Sequence, residues 1–215
     1  MASRALTWLQ HYRLVFWDFD GVIKESVDVK AEAFRELFLP WGAAVAGQVV
    51  AHHLANGGMP RREKIEHALQ QFAGVAPQQT EVDALADQFG SLVRQKVVDA
   101  AWVPGVETLL RENPCAQRFV LLTATPQQEI EWILGRLGMA GAFADIFGSP
   151  VKKADAMRQT LARLGLATAD AVFIGDSIND LEAAAACGVT FVLRETDCAT
   201  GECAGHAGLR IRDFT

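Results

Sequence analysis

Short apolar runs alternate with amphipathic segments along most of the chain. Four runs are bounded by polar residues or glycine, as is typical of strands buried on both faces: residues 13–17, 118–123, 171–176 and 189–193. The segment 129–138 (EIEWILGRLG) has apolar residues at helical spacing, and the segments 154–165 and 179–188 both end on a glycine suited to a helix C-terminus. This alternation predicts an α/β protein with a doubly wound, Rossmann-like parallel sheet.

Residues 24–101 differ from the rest because their periodicity is helical throughout. Apolar positions at helical spacing mark three helices, and breaks at residues 40–42, 57–60 and 74 separate the helical segments. We therefore expect a core domain made of residues 1–23 and 102–215, with an all-helical cap domain inserted at residues 24–101. Since ligands of open parallel sheets bind beyond the carboxyl ends of the strands, an insertion after the first strand would cover that site.

Composition and charge favour a small-molecule partner. The chain has 215 residues, 50% of them hydrophobic, and a formal net charge of -6, which gives no broad electrostatic reason to bind nucleic acid or an anionic membrane. No apolar run approaches a membrane span, and the first residues do not have the pattern of a signal peptide. We expect a cytoplasmic protein that is a monomer or a homodimer.

The cysteines do not predict a disulfide scaffold. They number four, which is too few and too irregularly spaced in a chain of this length. Cys198, Cys203 and His206 lie close together in the sequence and could suggest a metal site. The fourth ligand is missing and the spacing is loose, so a polar surface loop is favoured.

Carboxylates follow two of the predicted strands. Asp18 and Asp20 end the first apolar run two residues apart, so their side chains would point to the same side of the sheet. Asp176 ends the run AVFIGD, and Asp180 follows four residues later with Asn179 beside it. So many acids would repel one another unless a cation were bound, and Mg²⁺ is the divalent ion that best fits a few carboxylates with phosphate and water oxygens.

A candidate anion site lies at the end of the strand RFVLLT. Thr123 ends this run, Ala124 follows it, and we expect Thr125 to cap the next helix with Pro126 at its first position. A hydroxyl and a helix N-terminus directed at one point form an anion site, although most Thr-x-Thr-Pro sequences only start helices.

A lysine pair opens another predicted helix, in SPVKKADAM. Lys152 or Lys153 stands at its first turn, where a cation is unfavourable for the helix dipole. The lysine is either an exposed residue that the helix tolerates or a cation directed at a phosphate group and a nucleophile.

These residues together resemble the haloacid dehalogenase-like hydrolases. The resemblance is to the phosphatase branch with a helical cap after the first strand, which includes phosphoglycolate phosphatases and β-phosphoglucomutases. Four motifs occur in the family's order across about residues 13–193: DFDGV at 18–22, Thr123 at its strand end, Lys153 before a helix, and GDSIND at 175–180.

The resemblance implies a role for each acid. Asp18 would be the nucleophile that forms an aspartyl-phosphate, and Asp20 would protonate the leaving group and then activate water. Asp18, the backbone carbonyl of Asp20 and the side chain of Asp176 would hold Mg²⁺. Asp180 and Asn179 would contact the residues that bind the metal and the substrate, with Asp180 orienting Lys153 or a metal-bound water.

The resemblance also implies contacts with the substrate. Thr123, Ala124 and Lys153 would bind the phosphoryl group, although the chain lacks the Lys-Pro-x-Pro pattern of many relatives, so Lys152 stays an alternative to Lys153. In the cap, Arg61 ends a Gly-x-x-Arg sequence at 58–61 that resembles a substrate-contacting loop. The alternative for Arg61 is a basic helix start with local acidic partners.

The function predicted from the sequence is Mg²⁺-dependent hydrolysis of a small phosphomonoester, such as a sugar phosphate or a phosphoglycolate-like metabolite. A sugar-phosphate mutase fits every motif. A catalytically inactive binding protein on the same fold is disfavoured because every motif position is present. A 2-haloacid dehalogenase is disfavoured because that branch keeps neither the second aspartate as acid and base nor the Mg²⁺ site, whereas this chain has both Asp20 and Asp176.

Overall fold

A six-stranded parallel sheet forms the centre of the protein. The structure, a computed structural model, describes residues 7–196 and 203–215. The strands are β1 (Leu14–Trp17), β2 (Arg118–Pro126), β3 (Asp145–Ser149), β4 (Ala171–Gly175), β5 (Thr190–Arg194) and β6 (Arg210–Ile211). Their order is β3-β2-β1-β4-β5-β6, and all neighbouring pairs are parallel. The predicted α/β fold is thereby confirmed.

The helices fall into an inserted group and a core group. Between β1 and β2 the chain forms α1 (Val27–Phe38), α2 (Ala43–Ala55), α3 (Arg61–His67) with a π-helical continuation (Ala68–Phe72), and α4 (Gln79–Asp99). The remaining helices are α5 (Val106–Glu112), α6 (Gln127–Leu137), α7 (Lys153–Leu164) and α8 (Ile178–Cys187). The helical insertion after the first strand is confirmed. In the described part of the chain, no helix is both long and apolar enough to cross a bilayer.

The first strand, β1, is buried on both faces, which explains why its sequence is a continuous apolar run. Val15 and Trp17 pack into a cluster that extends through the insert, whereas Leu14 and Phe16 pack into a second cluster on the opposite face. All four side chains are 0% exposed. Burial on both sides fixes the strand, so the residue that follows it, Asp18, starts from a rigid position.

Two strands were not predicted from the sequence. β3 is only partly buried and contains a glycine, and β6 has two residues at the sheet edge, so neither forms a continuous apolar run. β2 is also longer than expected, because its pairing with β3 shifts register after Leu122 and resumes at Pro126. The sheet is therefore wider than the apolar runs indicate.

The prediction that Thr125 caps the helix after β2 is wrong. No side chain caps α6, and Pro126 precedes the helix instead of occupying its first position. The Thr125 hydroxyl contacts Asp20 and the ammonium group of Lys30. These charged partners form stronger hydrogen bonds than a backbone N–H group, which explains why the side chain turns away from the helix.

The two connections between core and insert run side by side. Lys24 forms isolated bridges with Asp20 and with Trp102, and the Glu25 N–H group donates to the Ala101 carbonyl over 2.9 Å. The Lys24 ammonium group donates to the Val98 carbonyl over 3.0 Å and lies 4.4 Å from the Trp102 ring centroid. The chain thus passes from core to insert and back at one narrow crossing.

The cysteine loop can be assessed only in part. Cys198 lies outside the described residues. Cys203 is buried in the cluster beneath β5, and the His206 ring is 5.3 Å from the Phe191 ring. Across residues 7–196 and 203–215, neither residue belongs to a group of side chains with metal-ligand spacing.

Candidate active site

Three carboxylates converge at the carboxyl ends of β1 and β4. Asp18 follows β1, Asp176 follows the adjacent β4, and Asp180 lies in the first turn of α8. One oxygen from each side chain lies within 4.8 Å of the other two. Carboxylate oxygens at this spacing can together hold a hard divalent cation such as Mg²⁺.

A lysine joins two of these carboxylates. The Lys153 ammonium group is 2.8 Å from Asp18 Oδ1 and 2.6 Å from Asp180 Oδ1. Its position at the start of α7 directs it towards the strand ends, whereas the neighbouring Lys152 is exposed. Of the two lysines that the sequence left as alternatives, Lys153 is therefore the one that contacts the acids.

Asp180 is held in place by its own helix. Its Oδ2 accepts hydrogen bonds from the Ser177 N–H group over 3.2 Å and from the Ser177 hydroxyl over 2.7 Å, and Asp180 is 0% exposed. With Oδ1 bonded to Lys153, both Asp180 oxygens are engaged. Asp176, in contrast, forms no hydrogen bond or ion pair with any other described residue, so its carboxylate is available to a ligand.

Burial and mutual repulsion set the charge state of the cluster. Burial, followed by the charge of Asp180, raises the pKa of Asp18 to about 7. The pKa of Asp176 is raised well above its ordinary value by burial and then by Asp18 and Asp180. Burial works against the charge of Lys153, but the two carboxylates prevail and raise its pKa. The acids thus carry more negative charge than one lysine can balance, and a bound cation would relieve the excess.

Gly21 makes room for the Asp176 carboxylate. The backbone there has φ +73°, and a Cβ atom on Gly21 would lie 2.1 Å from Asp176 Oδ2. Any side chain at this position would both strain the turn and displace the carboxylate. The glycine of the DFDGV sequence is therefore explained by the packing of the two strand ends.

Asp20 is bound from both the core and the insert. Its Oδ1 accepts a hydrogen bond from the Ser26 hydroxyl over 2.6 Å, and its Oδ2 contacts the ammonium group of Lys30 and accepts from the Thr125 hydroxyl over 3.3 Å. Burial works against ionisation, but Lys30 and these hydrogen bonds prevail and lower the pKa of Asp20. Asp20 and Asp18 therefore have opposite pKa shifts: Asp20 is favoured as the carboxylate, and Asp18, without a bound cation, is favoured as the neutral acid.

Thr123 and Ala124 lie on the other side of Asp18. Thr123 is 1% exposed and its hydroxyl accepts a hydrogen bond from the Thr125 N–H group over 3.1 Å. Ala124 lines the cavity described below. The hydroxyl of Thr123 holds the strand end in shape, and its contact with a phosphoryl group stays a prediction.

A cavity of about 450 Å³ lies between the strand ends and the insert. Its core wall includes Asp18, Asp20 and Asp176, and its insert wall includes Lys30, His53, Arg61 and Lys64. The volume is that of a site for a small molecule. Acidic groups line one side and basic groups line the other.

The loop before α3 rests directly on α8. A Cβ atom on Gly57 would lie 2.8 Å from the Ser177 Cβ atom, and one on Gly58 would lie 2.9 Å from the Ser177 hydroxyl. The Asn179 amide donates to the Gly57 carbonyl. The glycines thus allow the insert to approach the motif at 175–180, and Asn179 joins the two parts.

Arg61 also joins the insert to the core. Its guanidinium group forms two hydrogen bonds with the Glu129 carboxylate of α6, at 3.0 and 2.6 Å, and a third with the Ala86 carbonyl at 3.1 Å. The group stacks on the Phe89 ring at 4.5 Å. The predicted local acidic partners are not the ones observed. Arg61 lines the cavity, and its role as a substrate contact stays a prediction.

The chain belongs to the haloacid dehalogenase-like hydrolase family, which matches residues 12–188. Among curated relatives, the phosphoglycolate phosphatase of Pseudomonas putida is 30% identical over 191 residues, covering 84% of this chain and 68% of that protein. The phosphoglycolate phosphatase of Pectobacterium atrosepticum is 29% identical over 180 residues, covering 80% and 75% respectively. The resemblance that the ordered motifs indicate is confirmed.

Solved structures with the same fold include proteins whose names describe them as phosphoglycolate phosphatases or haloacid dehalogenase-like hydrolases. A predicted phosphoglycolate phosphatase from Haemophilus somnus has a TM-score of 0.74 at 19% identity, covering 95% of both chains. CbbY from Rhodobacter sphaeroides, solved in complex with xylulose-1,5-bisphosphate, has a TM-score of 0.71 at 21% identity, covering 94% of this chain and 95% of that one. At these identities the likeness concerns the fold.

Proposed function

We propose that the protein is a Mg²⁺-dependent phosphatase that hydrolyses a small phosphomonoester through an aspartyl-phosphate on Asp18. The observation that carries this proposal is the contact of Asp18 with Lys153 beside the carboxylate of Asp176, which has no hydrogen-bond or ion-pair partner among the residues that the structure describes. An anionic nucleophile that lines the cavity and a fixed cation in contact with that nucleophile are the groups that phosphoryl transfer requires.

Asp18, Asp176 and the backbone carbonyl of Asp20 would hold the ion. Their oxygens suit Mg²⁺, the raised pKa values of Asp18 and Asp176 indicate uncompensated charge, and Asp180 is already engaged by Lys153 and Ser177. When bound, Mg²⁺ would keep Asp18 ionised and reduce the repulsion between this carboxylate and an anionic ester.

The residues of the chain account for both chemical steps. An oxygen of Asp18 attacks phosphorus and the ester P–O bond breaks, while protonated Asp20 gives its proton to the departing alkoxide. Asp20 then takes a proton from the water that attacks the phosphoryl group and releases Asp18. Lys30 favours the ionised Asp20 that this second step needs, and a phosphate dianion bound nearby would raise the Asp20 pKa for the first step.

Lys153 and the strand end after β2 would stabilise the transferring phosphoryl group. Lys153 supplies a positive charge fixed by two carboxylates, while Thr123 and Ala124 supply a hydroxyl and backbone N–H groups. Such preorganised donors act on charge that develops over the phosphoryl oxygens. Asp180 and Asn179 would act indirectly, by orienting Lys153 and by contacting the insert loop.

Phosphoglycolate is the substrate that the relatives' names suggest for a first assay. We further propose that residues 24–101 act as a cap over the core formed by residues 1–23 and 102–215. The paired crossing at Lys24 and Trp102 would serve as the hinge, because the chain enters and leaves the insert there.

A panel of phosphate esters tests the proposed function. With Mg²⁺ we expect phosphate release from small esters such as phosphoglycolate and sugar phosphates, and with EDTA we expect none, because Asp18 would then lack its counter-ion. Isomerised sugar phosphate should be measured in the same samples. Substantial activity in EDTA would contradict the mechanism, and isomerisation without phosphate release would show a mutase.

Replacing the second aspartate tests its role as acid and base. We expect Asp20→Asn to lower kcat by about 10²–10⁴-fold, the range typical of general acid–base catalysis, because asparagine can neither donate nor accept the proton. The loss should be smaller for an ester with a good leaving group, such as p-nitrophenyl phosphate, which needs little protonation. An equal loss on both esters would instead show that Asp20 acts by shaping the site.

A further inference from the structure

Lys64 is a buried lysine in the insert wall of the cavity. It lies on α3, it is 4% exposed, and it lines the same cavity as Asp18 and Asp20. Its ammonium group is 2.8 Å from His53 Nδ1 and 3.4 Å from the His53 carbonyl oxygen. Within the described residues, no carboxylate lies within ion-pair distance of it.

The other cations of this wall are already paired with carboxylates. Lys30 pairs with Asp20, and Arg61 pairs with Glu129. The partner of Lys64 is neutral, because burial and then the charge of Lys64 lower the pKa of His53 to about 2. Among the described residues, Lys64 therefore carries the uncompensated positive charge of the insert wall.

An unpaired charge in this position is costly for the fold. Burial, followed by the charge of Lys30, lowers the pKa of Lys64 to about 7, although the carboxylates of Asp20 and Asp176 partly offset the effect. A well-packed apolar side chain would be at least as stable there, so packing alone gives no reason for a lysine. An anion that enters the cavity would compensate the charge.

The chemistry of the lysine indicates how such an anion would bind. An ammonium group has three N–H donors, and the contacts with the His53 ring nitrogen and carbonyl oxygen leave one for a ligand. Lys64, Asp18 and Asp20 line one cavity of about 450 Å³, which is the size of a small-molecule site. A small molecule bound in this cavity can therefore contact Lys64 as well as the acids.

We propose that Lys64 binds the second anionic group of the substrate, an oxygen of its non-reacting end. This proposal rests on the proposed function for the site of the reacting phosphate. It gives the substrate class as small phosphate esters that carry a carboxylate, or another anion, a few atoms from the ester.

The proposal gives Lys64 and Arg61 different roles. Arg61 has its charge paired with the Glu129 carboxylate, and three of its five N–H groups donate to Glu129 and the Ala86 carbonyl, whereas Lys64 has no carboxylate partner among the described residues. Lys64 follows Arg61 by three residues on the same helix. Arg61 thus positions α3 against the core, while Lys64 is left free to contact the ligand.

The test compares two esters that differ in the second anion. For Lys64→Met, which replaces the ammonium group by an uncharged side chain of similar length, we expect the ratio of kcat/KM for phosphoglycolate to kcat/KM for ethyl phosphate to fall about tenfold or more, because a charge-assisted hydrogen bond is lost. The matched control is Arg62→Met, on the exposed side of the same helix, which should keep the wild-type ratio. An unchanged ratio in Lys64→Met would overturn the proposal.

Two further measurements distinguish ligand binding by Lys64 from a merely structural role, and distinguish failure of this proposal from failure of the proposed function. Lys64→Met removes the cost of a buried ammonium group and also its two hydrogen bonds to His53, so the thermal unfolding midpoint should change little; a clearly lower midpoint with an unchanged ratio would make Lys64 structural. Calorimetry on Asp18→Asn protein, which needs no turnover, should show that adding Lys64→Met weakens phosphoglycolate binding and not ethyl phosphate binding. If wild-type protein hydrolyses neither ester, the proposed function fails, while calorimetry still decides whether Lys64 binds the second anion.

Discussion

Replacing Asp18 by asparagine is expected to reduce phosphate release by roughly 10⁴–10⁶-fold, in the range found when a catalytic nucleophile is removed. The amide cannot attack phosphorus, and it removes one ligand of the proposed Mg²⁺ site. The loss should be equally large for phosphoglycolate and for p-nitrophenyl phosphate, because both would need the same nucleophile. The measurement is steady-state phosphate release with saturating Mg²⁺.

The matched control carries the same substitution at a remote acid. Asp87 is exposed on α4, and Asp87→Asn should retain wild-type activity. Asp18→Asn should also keep its fold, since the neutral side chain relieves repulsion within the buried acid cluster and can still accept a hydrogen bond from Lys153. Residual activity within a few-fold of wild type in Asp18→Asn would exclude Asp18 as the nucleophile.

Removing the lysine that contacts Asp18 is expected to have the next largest effect. Lys153→Ala should lower kcat/KM by about 10²–10³-fold, because a preorganised donor that faces developing charge in a water-poor site typically contributes that much. Lys152→Ala should stay within about twofold of wild type, because Lys152 is exposed. Both variants are compared on phosphoglycolate.

The stability of the Lys153 variants must be measured with their activity. Lys153→Ala leaves Asp18 and Asp180 buried without their cation, which can cost about 3–5 kcal/mol of unfolding free energy. Lys153→Arg keeps the charge but not the compact ammonium geometry, so it should remain folded and still lose activity. A large effect of Lys152→Ala with a small effect of Lys153→Ala would show that the register of the lysine pair is shifted by one.

The parts of the site that the sequence revealed are those attached to buried strands. Asp18 and Asp176 end continuous apolar runs, so both the strands and the edge where they meet could be predicted from local pattern. In the structure, Ser177 and Asp180 form a reciprocal capping box at the start of α8, so a local interaction positions Asp180 as well. In these cases the position of a side chain follows from neighbours in sequence.

The parts that the sequence did not reveal depend on how the insert lies over the sheet. Lys30 meets Thr125 across 95 residues, and Arg61 meets Glu129 across 68 residues. Helical periodicity shows which face of α1 or α3 is apolar, but not which strand end that helix covers. Lys64 was missed for the same reason, because its burial comes from packing against α2 and not from any local motif.

Trapping the intermediate tests the central claim most directly. Wild-type protein with Mg²⁺ is mixed with ³²P-labelled phosphoglycolate, quenched with acid within one turnover, and digested for peptide mapping by mass spectrometry. We expect acid-stable, hydroxylamine-sensitive label in the peptide that contains Asp18, and no label in Asp18→Asn. Phosphate release in wild-type protein without any labelled peptide, or with label on a residue other than Asp18, would contradict the account.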